Sequence, residues 1–121
     1  MSDYKYFSPE TDPLLFTCSE TGETGISPAF VTRLDILRGR CGFPFIITSG
    51  YRSRLHSKER DKKDGPGEHN RGAADVKATS SHRRYVILRE AMAMGFKGIG
   101  VGEDFIHVDD RIGLPVTWSY Y

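Results

Sequence analysis

Cysteine is scarce in this chain of 121 residues: only Cys18 and Cys41 occur, and they stand far apart. That excludes a Cys-x-x-Cys zinc or redox motif and a disulfide scaffold. Two reduced, partly buried thiols are expected, with one disulfide tying down the N-terminal arm as the alternative. A surplus of charge is missing too. Lys and Arg total 17 against 16 Asp and Glu, net +1, so the chain as a whole lends a nucleic-acid partner no electrostatic support. No apolar run approaches the ~20 residues of a membrane span. Residues 1–25 hold one base, Lys5, and the acids Asp3, Glu10, Asp12, Glu20 and Glu23. They lack the apolar core of a signal peptide, so cytoplasmic synthesis without an export signal is expected. What is present suits one globular domain: 38% hydrophobic, 12% aromatic and 27% charged residues.

The N-terminal arm, 1–25, reads as irregular. Pro9 and Pro13 interrupt any helix there, and Leu14, Leu15 and Phe16 form a short apolar anchor. Ser27-Pro28 is a helix start, a hydroxyl cap followed by proline at the first helical position. Phe30, Val31, Leu34, Ile36 and Leu37 recur at helical spacing, which predicts a helix over 28–40 before Gly42. Phe45 to Thr48 reads as a short strand of the buried type. From Ser49 to Gly72 the chain is polar, a long loop for so small a domain. Within it Arg52, Arg54, Lys58, Arg60, Lys62 and Lys63 outnumber Glu59, Asp61 and Asp64. That run suits steering of an anionic partner, and equally a solvated flexible loop. Strands are predicted at 73–78, 96–101, 105–109 and 116–119. A second helix, 81–94, is capped by Thr79, Ser80 or Ser81 and carries Tyr85, Val86, Ile87, Leu88 and Met92 before Gly95. The sum is a single α+β domain spanning 1–121, with a small, largely antiparallel sheet and two main helices.

Four histidines offer chemistry. His82, in the first turn of the second helix beside Arg83 and Arg84, reads as a solvated surface residue, and so does His56 in the charged loop. His69 lies among glycines ahead of Asp75, and His107 alternates with Ile106 and Val108 on a strand that also presents Asp109. Two imidazoles and one carboxylate suit Zn²⁺ with a fourth position left for water. The bland alternative is a hydrogen-bonded His–Asp pair in a sheet.

Three segments carry a resemblance. Ile47-Thr48-Ser49-Gly50-Tyr51-Arg52-Ser53, then Glu68-His69-Asn70-Arg71-Gly72-Ala73-Ala74-Asp75, then Asp104-Phe105-Ile106-His107-Val108-Asp109 resemble the successive motifs of the zinc D-alanyl-D-alanine carboxypeptidase family. That family includes phage L-alanyl-D-glutamate endolysins and the D,D-dipeptidases of vancomycin resistance. Tyr6-Phe7-Ser8 and Val116-Thr117-Trp118-Ser119-Tyr120 are similar to its small phage-type branch.

The resemblance implies one zinc held by His69, Asp75 and His107. It implies Asp104, three positions before the last histidine, as general base and acid, with Glu103 as the rival. Arg52 would bind substrate, and Ser49 and Tyr51 would line the cleft or serve packing and turn roles. Asp109 reads as a carboxylate orienting its neighbours. The implied activity is hydrolysis of peptidoglycan stem-peptide bonds involving D-amino acids. The implied setting is a monomer acting at the bacterial cell wall in phage lysis or in a virion. A catalytically silent wall-binding or virion module and a D-Ala-D-Ala dipeptidase are the alternatives. One departure bears on the site: the step from His69 to Asp75 is a residue shorter than is usual in the family. The turn at Asn70-Arg71-Gly72 must absorb it, or the strand register shifts and its side chains change face.

Overall fold

Two serine-capped helices and five strands follow from the local chemistry. The computed structural model describes residues 4–62 and 67–120, so Lys63 and Asp64 of the charged run lie outside the described residues. Ser27 Oγ accepts the Phe30 N–H at the start of α2, Pro28–Cys41, and Ser80 Oγ accepts the Arg83 N–H at the start of α3, Ser81–Met94. Ser80 is thus the cap among the three candidates. Both helices end at a glycine in the left-handed conformation, Gly42 and Gly95.

The N-terminal arm is more ordered than its prolines suggest. Pro13 occupies the first position of a one-turn helix, α1, Pro13–Phe16, where a missing N–H costs nothing. Thr17 and Thr24 then bridge antiparallel. Phe7, Leu15 and Cys18 are buried in the main core, so the arm is part of the domain and not an appendage.

The strands are β1, Ile47–Ser49; β2, Ala73–Lys77; β3, Gly98–Val101; β4, Phe105–Asp109; and β5, Val116–Ser119. They form one sheet in the order β1-β2-β4-β3-β5, antiparallel except for the parallel β3–β5 pair. The strand expected at 45–48 begins later and alternates: Phe45 and Ile47 are buried while Ile46 is exposed, because one side of this edge strand meets water.

Alternation along the sheet decides the layers. Ala74, Val76, Ile99, Ile106 and Val108 point to one face, where they join Phe30, Val31, Leu34 and Leu37 of α2 and Ile87 and Ala91 of α3 in the core. Three residues read as apolar helix positions fall on the outer side instead: Ile36, Tyr85 and Met92 are exposed, since each helix buries a single stripe. The opposite sheet face carries Asp75, His107 and Asp109 in β2 and β4. The core helices α2 and α3 pack on the other face, and this one is where polar chemistry can meet solvent.

Both cysteines are free thiols, Cys18 buried and Cys41 half-buried. Burial pushes the Cys41 thiol up to about 11, which keeps it protonated and inert at neutral pH.

Candidate metal centre

Sheet register builds the centre. Asp75 stands directly opposite His107 in the β2–β4 ladder, and His107 Nδ1 lies 2.9 Å from Asp75 Oδ1. His69 arrives from outside the sheet, on a single 3₁₀ turn, Glu68–Asn70, just before β2. Its Nε2 is 3.4 Å from the same Asp75 oxygen. The shorter step from His69 is absorbed by this tight turn, whose Arg71 and Gly72 N–H groups both bond back to the Glu68 carbonyl. The register of β2 is therefore kept, and Asp75 faces the site. One ligand atom from each of His69, Asp75 and His107 lies within 4.8 Å of the others.

The second nitrogen of each imidazole is spoken for, which fixes which nitrogen faces inward. His69 Nδ1 donates to the Gly50 carbonyl at 2.7 Å, leaving Nε2 toward Asp75. His107 Nε2 donates to Asp109 Oδ2 at 2.7 Å, leaving Nδ1 toward Asp75. Asp109 is fully buried and is gripped by Arg111 through Nε at 3.0 Å, Nη2 at 2.7 Å and the backbone N–H. Ligand histidines anchored through the far nitrogen to a carbonyl or carboxylate are the usual support of a metal site. The donor set, two imidazole nitrogens and a carboxylate oxygen on rigid elements, fits a borderline divalent ion such as zinc.

Two glycines make the approach possible. A Cβ on Gly50 would overlap the backbone of Leu14 and Leu15, and one on Gly98 would overlap the Asp109 carboxylate. Gly50 is thereby able to bring its carbonyl to His69, and Gly98 leaves Asp109 room beneath His107.

Electrostatics favour a charged cluster. Burial alone would raise the Asp75 carboxyl, but hydrogen bonds from His107 and His69 and their charges carry it well below the carboxylate range. Burial likewise opposes charge on His107, yet its bonds to Asp109 and Asp75 hold its pKa above the ordinary imidazole value. A divalent cation would replace the proton that His107 shares with Asp75.

The centre opens into a cleft of about 430 Å³. One side is aromatic, Phe105, Trp118 and Tyr120, with the Trp118 ring 5.3 Å from His107. Arg52, Lys58 and Lys62 make the lining cationic elsewhere, and Arg111 lies over the Trp118 ring, 4.7 Å from its centroid. Arg52 is tied to the ligand turn: its N–H donates to the His69 carbonyl at 2.8 Å, and Asn70 Nδ2 donates to its own carbonyl at 2.9 Å. Its guanidinium bonds Ser49 Oγ at 3.0 Å and Glu59 Oε2 at 3.4 Å.

Of the residues expected here, His69, Asp75, His107, Arg52 and Ser49 are brought together. Tyr51 is not: it belongs to the hydrophobic core, its ring against Gly25. Asp104 is exposed in the turn between β3 and β4 and does not line the cleft, although the next residue, Phe105, does. Its backbone is held, since the Asp104 carbonyl accepts the Ala78 N–H at 2.7 Å.

His56 departs from its expected solvated state, and so does Glu59 within the charged loop, while Arg54, Lys58, Arg60, Asp61 and Lys62 are exposed. His56 is buried, its Nε2 3.0 Å from Glu20 Oε2, and its Nδ1 accepts the Lys58 N–H at 3.1 Å. Glu20 also takes the Ser57 N–H and hydroxyl, and Glu23 takes the Ser53 hydroxyl. The loop is thus clasped by the N-terminal arm. Glu59 is buried with 0% side-chain exposure between Arg52 and Lys62, and it accepts the Gly67 N–H at 2.6 Å. Nothing in a run of alternating acids and bases singles it out. The role of Arg111 had a visible signal, a base two residues after Asp109. His82 is exposed, as expected.

An α+β domain that gathers two imidazoles and a carboxylate on the open face of its sheet, with a peptide-sized cleft beside them, has the form of a metallopeptidase. More particularly, the chain belongs to the peptidase M15 family, whose family model matches residues 6–109. No curated protein and no solved structure matches it. Among the described residues no helix is long and apolar enough to cross a membrane.

Proposed function

We propose that the chain is a zinc-dependent peptidase that hydrolyses peptidoglycan stem-peptide bonds involving D-amino acids. The observation that carries this reading is the convergence of His69, Asp75 and His107 at the floor of the cleft. Bound by these three donors, zinc would acidify a water toward a pKa of about 7 and polarise the scissile carbonyl.

The remaining work falls to the chain. Asp104 accepts the proton of the attacking water at its carboxylate and returns it to the leaving amine. Its exposed side chain stands next to cleft-lining Phe105, on a turn whose backbone is held by the Ala78 N–H. Arg52 keeps further N–H donors beyond those given to Ser49 and Glu59, and they suit a substrate carboxylate or the charge developing on the carbonyl oxygen. Phe105, Trp118 and Tyr120 form an apolar wall that limits water. The bacterial cell wall, reached in phage lysis or from a virion, is the setting this substrate class fits.

Metal analysis beside mass spectrometry of muropeptide digests tests the proposal. About one zinc per chain is expected, with stem peptides cut in wild type. Asp104→Ala keeps the metal and loses about 10²–10⁴-fold in rate. Zinc bound without cleavage of any muropeptide would favour the silent wall-binding module, and free D-alanine from D-Ala-D-Ala alone would favour the dipeptidase.

A further inference from the structure

The cationic wall of the cleft carries more positive charge than the chain neutralises. Arg52, Lys58 and Lys62 line it together. Glu59 is the single carboxylate shared by two of them, with Arg52 Nη1 at 3.4 Å and Lys62 Nζ at 3.0 Å. The Lys58 ammonium is exposed and has no ion pair or hydrogen bond among the described residues. The other charged groups of the cleft already have partners, Arg111 in Asp109, Glu68 in Arg71, and Asp75 in the imidazoles of His69 and His107. Three cations facing one buried carboxylate leave the equivalent of two positive charges for a ligand.

Glu59 also makes the wall rigid. A buried carboxylate persists only when fully paired, and here it holds Arg52, Lys62 and the Gly67 N–H that leads to His69. Lys62 is therefore partly ordered before any ligand arrives, which lowers the entropy lost on binding. If Arg52 meets one anionic group of the substrate, Lys58 and Lys62 remain for another.

We infer that Lys58 and Lys62 form a subsite for a second carboxylate, so that the cleft selects peptides bearing a free acidic side chain beside the scissile bond over the same peptides amidated there. This rests on the peptidase reading above. The full-length, zinc-loaded chain is tested with peptide pairs that differ only in that carboxylate, free or amidated. Wild type should prefer the acid by about 5- to 20-fold in kcat/KM, as expected for a charged hydrogen bond. The preference should shrink as ionic strength rises. Lys58→Met, at an exposed ammonium with no partner among the described residues, should cut the ratio at least about threefold, and Lys58→Met with Lys62→Met should bring it near one. A wild-type ratio within about twofold, or a ratio that survives in the double variant, overturns the inference. Calorimetric titration of the same two peptides reads the ratio without turnover. If no peptide is cleaved but the acid still binds more tightly, the peptidase reading fails and the subsite stands; equal binding, or none, overturns the subsite.

Discussion

His107 is the residue on which the centre turns, because each of its nitrogens has a carboxylate and each carboxylate has a different task. Asp75 shares the inward side with His69, while Asp109 sits behind the ring and is itself locked by Arg111. Asp109→Ala should leave the three donors in place yet free the ring to rotate. Metal affinity is expected to fall about 10–100-fold, read by competition with a chromogenic chelator. Glu59 allows a pH prediction. Burial alone would raise its pKa, but the Gly67 N–H and the Lys62 ammonium outweigh burial and hold the carboxyl below its ordinary 4.5. A depressed folded pKa means that the stability it adds is complete above 4.5 and drains away as pH falls through the folded value. Glu59→Gln should cost on the order of 1–3 kcal/mol at pH 7. Its acid unfolding curve should be flatter than wild type below that point, as followed by circular dichroism.

Among the elements, the turn between β3 and β4 shows how a helix positions a loop. Arg84 of α3 sends its guanidinium to three carbonyls, Ala78 at 3.0 Å, Glu103 at 3.3 Å and Gly102 at 2.7 Å. These flank the residue proposed as the base. Arg84→Ala strips donors from all three and should destabilise the fold by about 1–3 kcal/mol, measured by urea denaturation. Because Asp104 would then lose its fixed backbone, kcat should fall more than KM changes. Arg84→Lys should recover part of the stability, and less of the rate, since an ammonium cannot span the same fork. Arg84 was visible in the sequence only as one more base beside His82; its reach across the turn is a consequence of how α3 lies on the sheet.

For the whole molecule, metal and fold are linked, since the three donors come from segments that only the folded chain brings together. Zinc at about 1,000 times its dissociation constant should add roughly 4 kcal/mol, seen as a rise in melting temperature that a chelator reverses. Helix starts, glycine stops, strand alternation and the separation of His107 and Asp109 from Ile106 and Val108 were all legible in the chain, because they depend on neighbours a few residues away. So were the ligand types, through the three ordered segments. Other features lay beyond such reading: the 3₁₀ turn that keeps Asp75 in register, the burial of Glu59 and His56, and the removal of Tyr51 to the core. Each is set by partners distant along the chain, Gly50 for His69, Glu20 for His56 and Gly25 for Tyr51. Local sequence determined which side chains each strand and helix could present. Tertiary packing alone decided which of them meet, because an isolated charge is stable in water and a buried one needs a partner that only the fold supplies.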